Sequence, residues 1–362
     1  MGQFDRRNRQ KMKIVFFINK LYGGGAERVA TILMNHLCEN HHITAIVFDS
    51  NNDSYKLNDK VSIHRISVSS QFRIPRLIER IKKIRKEIKT TTPDIIISFL
   101  TPINIYVLTA SLFLRKKIII SERNTLNRVH SKLIRLIRRL TYPMADKIVF
   151  VTDADRIKFG LPGKSLTIYN PSALSPFPHY TDRQNIIVSI APTDRWYNKG
   201  IDLLITGWAK IAHRNPDWAV EIYGRISDAK LPNGITLQNQ KRVKWMGWTN
   251  DIAEMLRKKS IFILASRFEG CPNSMIEAMS QGCACIGTDC EGGIKEIITD
   301  GADGIIAKCE NANDISEKLQ MLIDDKNLRL RLSTEAIEKT KLFDKNVFFA
   351  KWDKLIEEVA WK

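Results

Sequence analysis

The chain has 362 residues, of which 44% are hydrophobic and 27% charged, and its net charge is +18. That length allows two domains of ordinary size, and the apolar fraction can build sizeable cores, which excludes a disordered chain. Only 18 Gly, 12 Pro and 6 Cys exclude collagen-like and disulfide-scaffold classes.

The charge excess lies in the first half. Residues 1–178 hold 31 Lys and Arg against 13 Asp and Glu, while residues 179–362 hold 26 of each. One half is therefore expected to meet an anionic partner: nucleic acid, an anionic membrane face or a phosphorylated substrate. Met1–Lys13 is polar and basic, unlike a secretory signal, and Arg6 stands where myristoylation of Gly2 would need Ser or Thr. The runs Ile14–Ile18, Tyr106–Leu114 and Ile261–Ala265 fall short of the ~20 apolar residues of a spanning helix. The expectation is a cytoplasmic protein, peripheral on the inner face of the plasma membrane. Its cysteines are read as buried small hydrophobes in a reducing compartment.

In chain order, short apolar runs alternate with amphipathic stretches. Strands are expected at Lys13–Asn19, Thr44–Asp49, Ile95–Phe99, Lys117–Ser121 and Lys147–Thr152. The second half adds Ile186–Ala191, Ala219–Tyr223, Val243–Met246, Ile261–Ala265, Ala284–Gly287 and Gly304–Ala307. Helical periods stand between them, as at Ala26–Leu37, Pro75–Lys89 and Ile252–Lys258. Non-alternating strands mean parallel sheets covered on both faces, so the expected class is doubly wound α/β. The proline-rich run from Asn170 to Pro178 reads as the linker, giving domains at 1–178 and 179–343, with 344–362 as a C-terminal helix returning to the first.

Three motifs could carry chemistry. Tyr22-Gly-Gly-Gly-Ala-Glu-Arg28 follows the first strand and opens a helix. Its glycines suit either a tight turn or a backbone cradle for an anion. It is not the dinucleotide fingerprint, since Arg28 takes the place of the third glycine, and no P-loop occurs. Ala191-Pro-Thr-Asp-Arg-Trp-Tyr-Asn-Lys-Gly200 brings Arg195 and Lys199 to a post-strand loop, where they are either diphosphate ligands or solvated charges. Phe268-Glu-Gly-Cys-Pro-Asn-Ser-Met-Ile-Glu-Ala-Met279 places Glu269 in a loop and Glu277 one turn inside a helix among apolar neighbours. A carboxylate there needs hydroxyls or a cation to meet it. Asp153-Ala-Asp155 has the look of a metal motif but reads as a helix cap, and no metal or cofactor is expected.

The combination resembles family 4 of the retaining glycosyltransferases. The features that carry it are the Glu-x7-Glu spacing of Glu269 and Glu277, Ala265-Ser266 before it, Ala278-Met-Ser-Gln-Gly282 after it, Gly287-Thr-Asp-Cys-Glu-Gly-Gly293, Gly24-Gly-Ala-Glu-Arg28 and Lys199-Gly200. The resemblance implies a GT-B fold of two Rossmann-like domains facing a cleft, with a nucleotide sugar, expected to be UDP-linked, as substrate rather than cofactor. It implies Glu269 beside the donor sugar, with Arg195 and Lys199 on the diphosphate as the catalytic set. Glu277 is implied on the ribose hydroxyls, with Gly24, Gly25, Gly270, Asn273 and Ser274 also lining the donor. Glu122, Arg123 and Asn124 stand where relatives carry Glu-His-Asn on the acceptor side, with Arg123 replacing the His. The basic helical segments, with Arg73 to Lys89 in one and Arg135, Arg138 and Arg139 in the other, are assigned to an anionic membrane and to the diphosphate of a lipid-linked glycan acceptor. Their apolar stripes are expected to pack, in part, on the sheet. A retaining, metal-independent hexosyl- or N-acetylhexosaminyl-transferase of bacterial surface glycans is the expected function. The alternatives are a nucleotide-sugar epimerase on the same fold and a nucleic-acid-binding protein, the latter lacking any helix-turn-helix, RNP or zinc-finger pattern.

Overall fold

The computed structural model describes residues 11–48, 55–69, 71–123, 126, 131–177, 182–225 and 242–361. The chain divides into two compact units, one of residues 1–168 with 349–362 and the other of residues 169–348.

The first unit runs β1 (Lys13–Ile18), α1 (Gly25–Leu37), β2 (His42–Val47), β3 (Ser62–Arg65), α2 (Arg73–Thr91), β4 (Ile95–Phe99) and α3 (Thr101–Ala110). It continues with β5 (Lys117–Glu122), α4 (Lys132–Thr141), β6 (Lys147–Phe150), α5 (Asp153–Phe159) and β7 (Ser165–Thr167). Among the described residues its seven strands lie in the order β3-β2-β1-β4-β5-β6-β7, every neighbouring pair parallel. All of Ile14–Ile18 and Ile95–Phe99 are buried, as the absence of alternation requires in a sheet covered on both faces. The edge strand β3 exposes all four of its residues.

The second unit runs β8 (Gln184–Ile190), α6 (Ile201–Ile211), β9 (Ala219–Tyr223), β10 (Val243–Gly247), α7 (Ile252–Arg257), β11 (Lys259–Leu264) and α8 (Asn273–Ser280). Then come β12 (Ala284–Thr288), α9 (Ile294–Ile297), β13 (Ile305–Ala307), α10 (Ala312–Asp324) and α11 (Lys326–Lys339). Its described strands form a second parallel sheet ordered β10-β9-β8-β11-β12-β13. In both sheets the chain leaves the first strand in one direction and resumes on its other side. The reversal falls between β1 and β4 and between β8 and β11, and ligands bind beyond the carboxyl ends of strands at such points.

The break between units falls at 168/169, ahead of the boundary drawn at 178. The described part of the proline-rich run packs as second-unit structure: Ser172 N–H donates to Phe343 O at 2.7 Å and Phe177 N–H to Ser280 O at 2.8 Å. The final helix α12 (Lys345–Ala360) begins in the second unit, and its residues from Phe349 onward belong with the first. There Trp352 is fully buried, stacked 6.3 Å from Phe99, and Asp353 meets His36 at 3.0 Å.

One local reading is corrected. The cap of α5 is Thr152, whose hydroxyl accepts from Asp155 N–H and donates to the Asp155 carboxylate at 3.0 Å; Asp153 pairs instead with Arg156 at 2.7 Å. The apolar stripes of the basic helices pack in part, as expected, and the structure shows where they divide. On α2, Ile84 and Ile88 are buried but Ile74 and Ile78 are 70% and 48% exposed. On α4, Leu133 and Leu136 face outward while Arg138 is buried. Among the described residues no helix is long and apolar enough to cross a membrane.

Candidate active site

Three loops leave the carboxyl ends of the adjacent strands β8, β11 and β12. The first contains the 3-10 turn Thr193–Arg195 and ends at Gly200, where α6 begins. Gly200 has φ +60°, and a Cβ there would lie 1.8 Å from Ala265 O. Only glycine lets this loop come so close to the end of β11. That approach brings Lys199 Nζ to 2.6 Å from Glu269 Oε1. The same carboxylate oxygen accepts from the Ser266 hydroxyl at 2.6 Å. The pair is largely shielded, with 20% of the Lys199 side chain and 10% of that of Glu269 exposed. In such surroundings loss of one partner is costly, because it leaves a shielded charge uncompensated.

Arg267 secures the two loops together. Its guanidinium makes a bidentate pair with Asp202 at 2.9 and 2.7 Å, donates to Tyr197 O at 2.7 Å and meets Glu310 at 3.1 Å. It lies 4.0 Å over the Tyr197 ring, and its backbone N–H donates to Asn198 O at 2.9 Å. The Asp202 hydrogen bonds are the largest cause of the raised pKa of Arg267. The third loop joins through Gly293 N–H to Gly270 O at 2.8 Å and Glu269 N–H to Glu291 O at 3.4 Å. Beneath it, burial first and the nearby Glu269 charge second push the Cys290 thiol up to about 12.

Glu277 sits one turn into α8 and is 4% exposed. Asn273 and Ser274 open that helix after Pro272, and Asn273 Oδ1 accepts from Asn170 Nδ2 at 2.8 Å. Arg195 lies exposed on the first loop, its carbonyl accepting from Lys199 N–H at 3.0 Å. The second unit thus brings Lys199, Glu269 and Gly270 together at neighbouring loops, with Glu277, Asn273 and Ser274 on the helix that follows. Arg267 and Asp202 were not singled out in the sequence, and Ser266 entered only as part of the strand-end motif. A Ser or an Arg inside a loop motif has no periodicity to announce it, and the Asp202 pairing spans two loops.

Gly24 and Gly25 belong to the first unit. Gly24 precedes α1 in extended conformation, with its carbonyl accepting from the Tyr55 hydroxyl at 3.1 Å, and Gly25 is the exposed first residue of the helix. A Cβ at Gly24 would fall 1.9 Å from Glu27 Oε2, because the Glu27 carboxylate folds back over the helix start. Glu122 ends β5 with no exposure. Its carboxylate accepts from the Thr101 hydroxyl at 2.7 Å, the Tyr142 hydroxyl at 2.5 Å and Arg123 N–H at 3.1 Å. Burial and that carboxylate drive the Tyr142 pKa well up. Arg123 is 8% exposed, with its guanidinium 4.9 Å over Phe99. Asn124 lies outside the described residues. Arg135 and Arg139 are exposed on α4, whereas Arg138 is buried.

Two parallel doubly wound units, the second presenting a Lys–Glu pair at its strand ends, fit the GT-B architecture. Two family models match along the chain: Glycosyltransferase Family 4 over residues 23–171 and Glycosyl transferases group 1 over residues 177–339. The chain belongs to the family 4-type glycosyltransferases. It is 28% identical to a GalNAc-α-(1→4)-GalNAc-α-(1→3)-diNAcBac-PP-undecaprenol α-1,4-N-acetyl-D-galactosaminyltransferase of Campylobacter jejuni, over 96% of this chain and 99% of that protein. An N,N'-diacetylbacillosaminyl-diphospho-undecaprenol α-1,3-N-acetylgalactosaminyltransferase of the same organism is 39% identical, over 33% of this chain and 32% of its own. Among solved structures, Anabaena HepE in complex with UDP is similar, with a TM-score of 0.79 at 16% identity, over 96% of this chain and 100% of that one. The lipopolysaccharide outer core galactosyltransferase WaaB is similar with a TM-score of 0.75 at 18% identity, over 96% of this chain and 99% of that one.

Proposed function

We propose that this glycosyltransferase moves a hexosyl or N-acetylhexosaminyl group from a UDP-sugar to a lipid-diphosphate-linked glycan, with retention of configuration and without a metal ion, at the inner face of an anionic membrane. The observation that carries the reading is the Lys199–Glu269 pair at the reversal point of the second sheet, one loop before the buried Glu277. Support for the substrates comes from the UDP held by the similar HepE structure and from the diphospho-undecaprenol acceptors in the names of the Campylobacter relatives.

In this reading the donor diphosphate draws Lys199 away from Glu269. Lys199, the exposed Arg195 and the N–H groups opening α8 then carry the charge that develops as the diphosphate leaves. Glu269, released from its cation and still held by Ser266, faces the sugar hydroxyls, and Glu277 takes the ribose hydroxyls. The leaving phosphate oxygen accepts the acceptor's proton on the same face of the sugar, so an α-linked donor gives an α-linked product. The relatives' names also carry α linkages.

The test is incubation of the full-length protein with a panel of UDP-hexoses and UDP-N-acetylhexosamines and a polyprenyl-diphosphate-linked glycan, in EDTA, with NMR of the product anomer. An α-linked product formed in EDTA is expected. A β product, or activity that needs Mn²⁺ to return, contradicts the respective part. An isomerised nucleotide sugar formed without acceptor would mark an epimerase instead.

A further inference from the structure

We propose that a cavity at α4 and α5 of the first unit binds the phosphate or diphosphate ester of a lipid. Arg135, Arg138, Arg139 and Lys158 line this open cavity of about 360 Å³, with Leu126, Leu136 and Phe159 as its apolar wall. Among the described residues the lining carries four cations and no carboxylate.

Arg138 is the decisive member. It is 5% exposed, and a buried guanidinium needs acceptors for its donors. Its Nη2 donates to Leu126 O at 3.2 Å, but Nε and Nη1 meet no acceptor among the described residues. The nearby Asp155 carboxylate is engaged by Leu126 N–H and by the Thr152 hydroxyl, each at 3.0 Å. A phosphate ester suits the cluster, since its charge offsets the four cations and its oxygens can take N–H donors from the exposed Arg135 and Arg139, with the buried Arg138 charge behind them.

The rim identifies the rest of the ligand. Leu133, Leu136 and Leu140 of α4 are 65%, 55% and 67% exposed, spaced three and four residues apart on one helical face. Water-facing leucines beside a basic cavity suit a headgroup that continues into hydrocarbon, and a soluble anion would give them no occupant. The inference rests on the reading above, to which it adds a place for lipid phosphate, and the cavity stands apart from the second unit's donor loops in sequence.

The experiment titrates inorganic pyrophosphate into the full-length protein saturated with UDP, by calorimetry. The variants are Arg138→Gln and, because that residue is buried, the exposed pair Arg135→Gln/Arg139→Gln. Each is expected to weaken pyrophosphate by about tenfold with UDP affinity unchanged. A control pair on α2, Lys82→Gln/Lys86→Gln, is expected to change neither. Unaltered pyrophosphate binding in the exposed pair, or an equal loss in the α2 control, overturns the site. Absence of UDP binding in the parent would overturn the donor reading and leave the pyrophosphate comparison intact. Sedimentation with phosphatidylglycerol vesicles and binding to undecaprenyl diphosphate in detergent distinguish the source. Loss in the first arm marks a membrane headgroup, loss in the second alone marks the acceptor, and loss in neither removes the lipid.

Discussion

Lys199 Nζ stands 2.6 Å from Glu269 Oε1, joining two loops whose residues are separated by 70 positions in the chain. In the function proposed above, the pair pre-positions a cation for the donor diphosphate and stores a carboxylate for the sugar. Glu269→Gln keeps an oxygen for Ser266 and Lys199, so the fold is expected to persist while kcat falls by at least about a hundredfold with UDP affinity within about threefold. Lys199→Met strands Glu269 and is expected to cost about 1–3 kcal/mol in stability as well as donor affinity. Urea unfolding and steady-state kinetics on both variants check this. A Glu269→Gln enzyme with normal kcat would remove Glu269 from the chemistry.

Arg267 is a positioning residue, holding the Tyr197–Lys199 backbone through Tyr197 O and Asn198 O. Arg267→Lys loses the bidentate Asp202 contact, and a rise in donor KM of about tenfold is expected, larger than the change in kcat. Asp202→Asn should act through the same contact, so the double variant should cost less than the two single effects combined. Strictly additive KM effects would show that Arg267 and Asp202 do not work as one clamp.

The sheets were legible in the sequence because a parallel strand covered on both faces is a continuous apolar run, as in Ile95–Phe99 and Ile261–Ala265. The strands β3 and β7 were not, since Ser62–Arg65 buries nothing and Ser165–Thr167 is three residues long. The two glutamates and Lys199 were singled out through the motifs of the family resemblance, and the structure brings Lys199 and Glu269 into contact. The Arg267–Asp202 clamp was not, because it is made by a turn of the fold. Helical periodicity misassigned α4, where Arg138 is turned inward and Leu133 outward. A period shows which residues share a face and leaves open which face the protein covers.

Stability should fall on the alkaline side. Burial raises the Cys283 thiol from 9.0 to about 11 and the Cys290 thiol from 9.0 to about 12. Below pH 9 both stay protonated in folded and unfolded chains and contribute no slope. Above it the unfolded chain releases protons that the folded one keeps, so stability declines as pH rises toward 11–12. Each thiol adds a slope approaching about 1.4 kcal/mol per pH unit. Urea unfolding at pH 8 and pH 10.5 is expected to show a smaller decline for Cys290→Ala than for the parent. Equal declines would contradict the assignment.

The most direct measurement of the central claim, that the second unit holds a nucleotide-sugar donor through Glu277 and the Lys199–Glu269 loops, is calorimetric titration of UDP into the parent protein and Glu277→Ala. The account predicts one site in the parent and binding weakened by about ten- to a hundredfold in the variant, as expected when hydrogen bonds from ribose hydroxyls to a carboxylate are lost. Equal affinity in the two proteins, with the variant folded by circular dichroism, would contradict it.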